Sequence, residues 1–237
     1  MKLLSFIPNT LTFLNLFFGC IAVFYGFNGD LKSLAIFVLL GMLCDFFDGF
    51  FARLLNVKSQ LGVQLDSLSD LVTFGLSSSV VIFILLSKSL YVIESDIDSP
   101  IRLIPYLSFL ITIASSYRLA KFNLDSNDSY FKGLPTPANA LLIVFLPFML
   151  ENQFLNHFYY LLENTFFLIF ILLISSYLLI SDIEIPSLKI KRFFSKKNKF
   201  LYLFLIISTS LLIGFKLAAF PIIILVYVFL GLLRIKF

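Results

Sequence analysis

Charged residues are scarce in this chain: Asp, Glu, Lys and Arg make up 14% of its 237 residues, whereas 59% are hydrophobic. A soluble globular domain of this length needs far more polar side chains to cover its surface. The scarcity of charge therefore excludes a soluble globule and favours an integral membrane protein.

Cysteine is nearly absent as well. Cys20 and Cys44 lie within apolar runs, and no C-x-x-C pair occurs. This pattern excludes a disulfide framework and a cysteine-ligated metal centre, so we interpret both residues as small core side chains. Pro8 and Asn9 interrupt the apolar start of the chain and no small-residue cleavage site follows, so we expect the first residues to remain in the mature protein.

The sequence contains long apolar runs in place of charge and cysteine. A run of about twenty residues is the length that a helix needs to cross the hydrocarbon core of a membrane. The runs are longer than the alternating strands of a membrane barrel. They predict an all-α, polytopic bundle of about eight transmembrane helices, near residues 10–27, 32–54, 66–87, 103–121, 134–150, 165–181, 200–215 and 219–235.

Basic residues are distributed unevenly between the loops of this bundle. An even number of spans places both termini on one side, and only Lys32, Lys88, Arg102 and Lys216, of the 18 Lys and Arg residues, fall on the other side. The positive-inside rule therefore predicts that both termini lie on the cytoplasmic side of the cell (inner) membrane. The basic face is suited to anionic membrane lipids, and we expect no nucleic-acid partner.

Four aspartates stand out in the second and third apolar runs. Asp45 and Asp48 are three residues apart, and Asp66 and Asp70 are four apart, so each pair shares one face of a predicted helix. The short connection 55–65 joins these helices, which predicts that the four carboxylates meet near the cytoplasmic interface. A carboxylate at this depth faces a polar cavity, pairs with a partner or binds an ion.

These acids predict a particular chemistry. Oxygen ligands without a nearby His or Cys suit Mg²⁺ or Mn²⁺ rather than Zn²⁺. A divalent ion at a membrane surface suits a pyrophosphate, whose departing charge it stabilises, and Gly49 leaves a bare backbone where a phosphorylated ligand can approach. Phosphoryl-type transfer to an alcohol, assisted by a carboxylate base, is the hypothesis that follows.

Two other interpretations remain open at this point. The acids could cap helices or pair with Arg53 and Lys58 at the membrane surface. A protein of another class, a divalent-cation transporter, also uses intramembrane acids, although we expect a transporter to spread them through the depth of several helices.

The spacing of the acids and their neighbours matches a known pattern. It reads Asp45-x-x-Asp48-Gly49-x-x-Ala52-Arg53, then eight residues, then Gly62-x-x-x-Asp66-x-x-x-Asp70. This pattern resembles the complete signature of the CDP-alcohol phosphotransferase family. The resemblance implies a homodimeric membrane enzyme with a six-helix core that transfers a substituted phosphate from a CDP-linked donor to an alcohol and releases CMP.

The resemblance also implies roles for individual residues. Two divalent ions would be held by the acids, with Asp70 as both a ligand and the base that takes the acceptor proton. The implied metal ligands are Asp45, Asp48, Asp66 and Asp70. The implied donor-binding residues are Asn9, Thr10, Asp45, Asp48, Gly49, Ala52, Arg53, Gly62 and Asp66. For Asn9 and Thr10 we also consider a role in capping the first helix.

Flanking segments resemble one branch of the family, the phosphatidylserine synthases. The segments are residues 7–12, 65–75, 118–123 and 131–138. This branch implies that CDP-diacylglycerol and L-serine give phosphatidylserine and CMP, whereas other branches use glycerol 3-phosphate or inositol phosphate, which remain alternatives. We expect residues 1–182 to form the catalytic domain, and residues 183–237 to add a basic loop and two helices.

Serine brings a carboxylate to the site, which a guanidinium neutralises in a bidentate manner. Arg118 is our first candidate for this role, although a cation at a helix end also interacts favourably with the helix dipole. The turn at residues 133–137 either shapes the acceptor pocket or simply begins a helix. The candidate serine-binding residues are Arg118, Lys121, Asn123, Pro135 and Thr136.

Overall fold

The computed structural model of the protein describes residues 6–57, 59–124, 133–150, 157–183 and 199–233, and this part of the chain is entirely helical apart from turns and short connections. Eight helices coincide with the eight predicted spans. They are α1 (Phe6–Phe27), α2 (Leu31–Leu54), α3 (Gln60–Ser87), α4 (Pro100–Leu124), α5 (Thr136–Met149), α6 (Thr165–Ile180), α7 (Lys199–Phe215) and α8 (Ala219–Leu232). The prediction of an all-α bundle is confirmed.

The lengths of these helices make the chain a multi-pass membrane protein. Helices α1 to α4 are each long and apolar enough to cross a membrane, as is the stretch Leu201–Leu232, whereas α5 and α6 are shorter apolar helices. Most of the basic loop that we predicted between α6 and α7 falls at residues 184–198, outside the described residues.

Helices α7 and α8 form a hairpin. Lys216 has a φ angle of +52°, which breaks the helix between them. The rings of Phe204 and Tyr227 lie 5.9 Å apart. In one straight helix these residues would be about 34 Å apart, so the chain must reverse direction at the break.

Helix α3 is the central helix of the bundle. In its most apolar stretch 67% of the residues are buried, against 28% to 33% in α1, α2 and α4. A π-helical turn, Leu71–Leu76, directly follows Asp70 and places Thr73 between α1 and α2. A Cβ on Gly19 of α1 would overlap Thr73, and one on Gly41 of α2 would lie 2.6 Å from Thr73 Cγ2. The two glycines thus allow three helices to approach closely beside the acids.

Two helix starts differ from our predictions. Helix α1 already includes Phe6, so the expected capping role of Asn9 or Thr10 is wrong: both lie within the helix. Pro8 does not delay the start, because the first turn of a helix requires no amide donor from a proline. Helix α3 begins at Gln60 rather than near Asp66, because the hydroxyl of Ser59 accepts a hydrogen bond from the Gly62 amide at 3.0 Å.

Candidate active site

Three of the four predicted acids form one tight group. Asp45 and Asp48 come from α2 and Asp66 from α3, and one carboxylate oxygen from each lies within 4.8 Å of the others. Asp66 is in the second turn of α3, so it does not cap that helix. The hairpin of α2 and α3 therefore brings together residues 18 to 21 positions apart in the sequence.

Asp70 adjoins this group from the next turn of α3. The carboxyl group of Asp45 is close enough to those of Asp66 and Asp70 to interact with both. Asp70 is buried, and its Oδ1 accepts a hydrogen bond from Asn15 Nδ2 at 3.2 Å. Asp70 stands outside the group of three, and its Oδ1 is engaged by Asn15.

The donor set fits a divalent cation. Within the described residues, Oδ1 of Asp66 is buried and has no hydrogen-bond partner. Several carboxylates this close repel one another strongly in a medium of low dielectric unless a cation or protons lie among them. Hard oxygen ligands of this kind match the coordination preference of Mg²⁺ and similar ions.

Helix α1 contributes two polar side chains to which our sequence analysis assigned no role. Thr12 donates to Asp48 Oδ2 at 2.6 Å, and Asn15 donates to Asp70 as described above. Both are buried. The signal was visible in the sequence, because Thr12 and Asn15 are polar residues three positions apart in an apolar helix and so share one face.

Three of the predicted donor-binding residues follow Asp48 on α2: Gly49, Ala52 and Arg53. A Cβ on Gly49 would lie 3.3 Å from Nη1 of Arg53, so the guanidinium of Arg53 passes over the bare backbone of Gly49. Arg53 itself is exposed, and Ala52 is half-buried beside it. A cation above an uncovered backbone stretch next to the carboxylates is suited to a phosphate-containing ligand.

Asn9 and Gly62 approach each other at the same end of the bundle. A Cβ on Gly62 would lie 3.4 Å from Asn9 Oδ1, so the starts of α1 and α3 are adjacent. The side chain of Thr10 is bonded within α1, because its hydroxyl donates to the Phe6 carbonyl at 2.8 Å. The structure therefore places Asn9 beside the signature residues and leaves Thr10 bonded to its own helix.

Arg118 of α4 lies within electrostatic range of Asp70. Its side chain is close enough to Asp70 to sense that charge, and its Nη1 donates to Thr136 Oγ1 at 3.0 Å. Within the described part of the chain, Nε of Arg118 is buried without a hydrogen-bond partner. The guanidinium is thus held near Asp70 with a donor to spare.

The start of α5 holds Thr136 in place. Gly133 has a φ angle of +73°, and a Cβ there would lie 2.8 Å from the Ser181 carbonyl oxygen, so glycine fits this turn best. The amides of Gly133 and Leu134 donate at 2.9 Å to the carbonyls of Ile183 and Leu178. Pro135 then leads into α5, with Thr136 at its first position.

Lys121 and Asn123 are not drawn into the group around Asp70. Lys121 forms an exposed ion pair with Asp182 at 3.2 Å. Asn123 exchanges hydrogen bonds with Ser67, at 3.0 Å for its Nδ2 donor, on the half-buried side of α3. Of the five candidate serine-binding residues, Arg118 and Thr136 are hydrogen-bonded to each other, and Arg118 also interacts electrostatically with Asp70.

Several known proteins are similar to this chain in sequence. The profile of the CDP-alcohol phosphatidyltransferase family matches residues 5–181. The CDP-diacylglycerol–serine O-phosphatidyltransferase of Helicobacter pylori is 30% identical over 232 residues, covering 96% of this chain and 90% of the relative. The enzyme of the same name from Bacillus subtilis is 33% identical over 150 residues, covering 61% of this chain and 77% of the relative.

An archaeal relative extends the similarity. The archaetidylserine synthase of Methanothermobacter thermautotrophicus is 30% identical over 191 residues, covering 78% of this chain and 72% of the relative. The family profile covers the helices that carry all four acids, and the H. pylori relative matches the chain almost from end to end. The chain belongs to the CDP-alcohol phosphatidyltransferase family.

Proposed function

We propose that this protein is a CDP-diacylglycerol–serine O-phosphatidyltransferase: it transfers the phosphatidyl group of CDP-diacylglycerol to the hydroxyl of L-serine. The products are phosphatidylserine and CMP. The observation that carries the proposal is the group of Asp45, Asp48 and Asp66 with Asp70 beside it, in a chain whose relatives bear this activity in their names.

The metal-binding part of the site would be formed by Asp45, Asp48 and Asp66, with Asp70 as a further ligand. The unpartnered Oδ1 of Asp66 and the mutual closeness of the carboxylates support this assignment. Two divalent ions, Mg²⁺ or Mn²⁺, would neutralise the pyrophosphate of the donor and stabilise the charge on departing CMP.

Asp70 is the proposed general base. In the reaction, the serine oxygen forms a bond to the phosphorus that carries diacylglycerol, the bond from that phosphorus to the CMP oxygen breaks, and the serine proton passes to Asp70. The hydrogen bond from Asn15 to Oδ1 of Asp70 would hold this carboxylate in place for the proton transfer.

Arg118 is the proposed ligand of the serine carboxylate. Its electrostatic interaction with Asp70 supports this role, because the acceptor hydroxyl would then lie on the same side of the site as the base, and Thr136 holds one of its nitrogens. Pro135 shapes the turn that positions Thr136, whereas Lys121 and Asn123 would support the pocket only through their contacts with Asp182 and Ser67.

The donor nucleotide is proposed to lie over Gly49, Ala52, Arg53 and Gly62, next to Asn9 and Thr10. We place this face and both termini on the cytoplasmic side of the cell membrane, where Lys and Arg are concentrated. We further propose that residues 1–182 form the catalytic domain, that residues 183–237 add the α7–α8 hairpin, and that the enzyme works as a homodimer.

The direct test measures CMP release by the purified protein in vesicles that contain CDP-diacylglycerol and Mn²⁺. We expect release with L-serine and none with glycerol 3-phosphate or inositol phosphate. Release only with a phosphorylated acceptor would keep the family and overturn the serine assignment. Movement of Mn²⁺ across sealed vesicles without the donor lipid, together with no CMP release, would favour the transporter.

A further inference from the structure

Helix α1 bonds to the acids through the two buried polar side chains described above. Thr12 donates to Asp48 of α2 at 2.6 Å, and Asn15 donates to Asp70 of α3 at 3.2 Å. These residues lie one turn apart on one face of α1. A single helix therefore reaches one acid from each of the two helices that form the site.

The backbone of α1 is fixed at these same two residues. The hydroxyl of Ser69 lies 3.0 Å from the Thr12 carbonyl and 2.9 Å from the Leu65 carbonyl, so the two share its proton, and the hydroxyl of Thr73 donates to the Asn15 carbonyl at 2.9 Å. Each carbonyl is thus held by α3 while the side chain of the same residue holds an acid. The register between α1 and α3 is therefore set where the acids are oriented.

The direction of the Asn15 amide is also determined by its surroundings. Its Nδ2 faces Asp70, whereas its Oδ1 is buried and, within the described residues, has no hydrogen-bond partner. A Cβ on Gly41 would lie 2.9 Å from that Oδ1, so the oxygen faces bare backbone of α2. Rotating the amide would turn its oxygen toward a carboxylate, which cannot donate while ionised.

A hydrogen bond to a carboxylate restricts the orientation of that group. The terminal torsion of an Asp side chain has a broad minimum, so a carboxylate without a fixed donor samples many orientations. A short hydrogen bond to one oxygen fixes the plane of the group and leaves the other oxygen pointing in one direction. Catalytic constellations depend on orientation of this kind.

We infer that Thr12 and Asn15 are positioning residues, which orient Asp48 for metal binding and Asp70 for proton transfer respectively. The inference rests on the proposed function for the roles of the two acids. It predicts different effects for the two residues: Thr12 acts through a metal ligand and changes cation affinity, whereas Asn15 acts through a residue that is both ligand and base and changes turnover more than cation affinity.

The test of Thr12 uses a matched pair of buried threonines. Thr165 also donates from a buried hydroxyl, to Ser89 at 2.6 Å, but at the opposite end of α3 from the acids. We expect Thr12→Val to weaken Mn²⁺ binding about tenfold, measured by calorimetry on the detergent-solubilised protein. Thr12→Ser keeps the hydroxyl and should retain affinity within about threefold, as should Thr165→Val.

The test of Asn15 uses a second buried asparagine. Asn139 is fully buried like Asn15, but its Oδ1 accepts from Ser175 at 2.7 Å rather than its amide donating to an acid. We expect Asn15→Ala to lower kcat for CMP release about ten- to hundredfold, because hydrogen bonds to charged groups have roughly this effect. The KM values for serine and CDP-diacylglycerol should change less than about threefold, and the Mn²⁺ affinity should fall less than kcat does.

Several results would overturn the inference. Equal losses of kcat in Asn15→Ala and Asn139→Ala would show a general packing effect, and so would equal losses of Mn²⁺ affinity in Thr12→Val and Thr165→Val. If Asn15→Ala fails to fold, the comparison of Thr12→Val with Thr12→Ser decides alone. Absence of CMP release by the unmodified protein would overturn the proposed function instead, and the Mn²⁺ titrations would still test the orientation of Asp48.

Discussion

Buried polar groups lie toward both ends of α3, but the hydrogen bonding of these groups differs between the two ends. Just beyond the far end, Ser89 bonds with Thr165 at 2.6 Å, and in the second half of the helix Ser79 bonds with Thr112 at 2.7 Å. At the near end, Asp66 keeps a buried oxygen without a hydrogen-bond partner in the described part of the chain, and Asp70 has one engaged oxygen. Paired hydroxyls stabilise a bundle, whereas unused carboxylate oxygens leave bonding capacity for a ligand.

Substitution of Asp70 should have the largest effect on the difference between the two ends of α3. We expect Asp70→Asn to lower kcat about 10²- to 10⁴-fold, because the amide cannot accept the serine proton. The control is Asp182→Asn, an exposed acid on the same side of the bundle that pairs with Lys121. CMP release measured for both variants should fall only for Asp70→Asn, and comparable losses would contradict the assignment of the base.

Removal of the metal ion should affect the end of α3 that carries the acids and not the far end. Chelation with EDTA should abolish CMP release, and added Mn²⁺ should restore it. At a concentration of 100 times its dissociation constant, the ion should stabilise the folded protein by about 2.7 kcal/mol, seen as a rise in melting temperature. Asp66→Asn should reduce that rise, whereas Thr165→Val should not, and an equal rise in both would contradict the placement of the metal.

Substitution of Arg118 tests whether the end of α3 that carries the acids also includes the binding site for serine. We expect Arg118→Lys to raise the KM for serine about tenfold or more, because an ammonium cannot bind a carboxylate in the bidentate manner of a guanidinium. The KM for CDP-diacylglycerol should stay within about twofold. Lys121→Gln, which removes an exposed cation on the same helix, should change both constants by less than about twofold, and a tenfold rise in the KM for serine there would contradict a specific role for Arg118.

The smallest expected effect concerns the packing that brings the helices together. Gly41→Ala would place a methyl group 2.6 Å from Thr73, so we expect a loss of about 1 to 3 kcal/mol in the free energy of unfolding. A methyl group on Gly214 in α7 would meet no atom of the described residues within 4 Å. Gly214→Ala should therefore stabilise the protein by up to about 1 kcal/mol. Denaturation in detergent measures both, and equal changes would contradict the close packing at Thr73.

Much of the fold follows from the sequence, because a membrane leaves a helix few alternatives. Long apolar runs mark the spans, and charges and turns mark their ends, which is why all eight predicted segments appear as helices. The starts of α1 and α3 were less accurate. Ser59 caps an earlier start of α3, and Pro8 is tolerated in the first turns of α1. The hydropathy pattern alone does not include these local effects.

The candidate site was predictable in part for a similar reason. The acids lie at fixed spacings on two helices joined by a short turn, so their closeness followed from helix geometry. The contacts of Thr12 and Asn15 depend on how α1 crosses α2 and α3, which spacing within one helix does not determine. The same holds for Lys121 and Asn123, whose partners Asp182 and Ser67 lie 61 and 56 residues away in the sequence.

The most direct test of the central claim is the fate of isotopically labelled L-serine incubated with the protein, CDP-diacylglycerol and Mn²⁺ in vesicles. Mass spectrometry of the extracted lipid should find the label in phosphatidylserine in a one-to-one ratio with released CMP, and neither product should form with Asp70→Asn. Label that remains entirely in free serine while the folded protein binds Mn²⁺ would contradict the account.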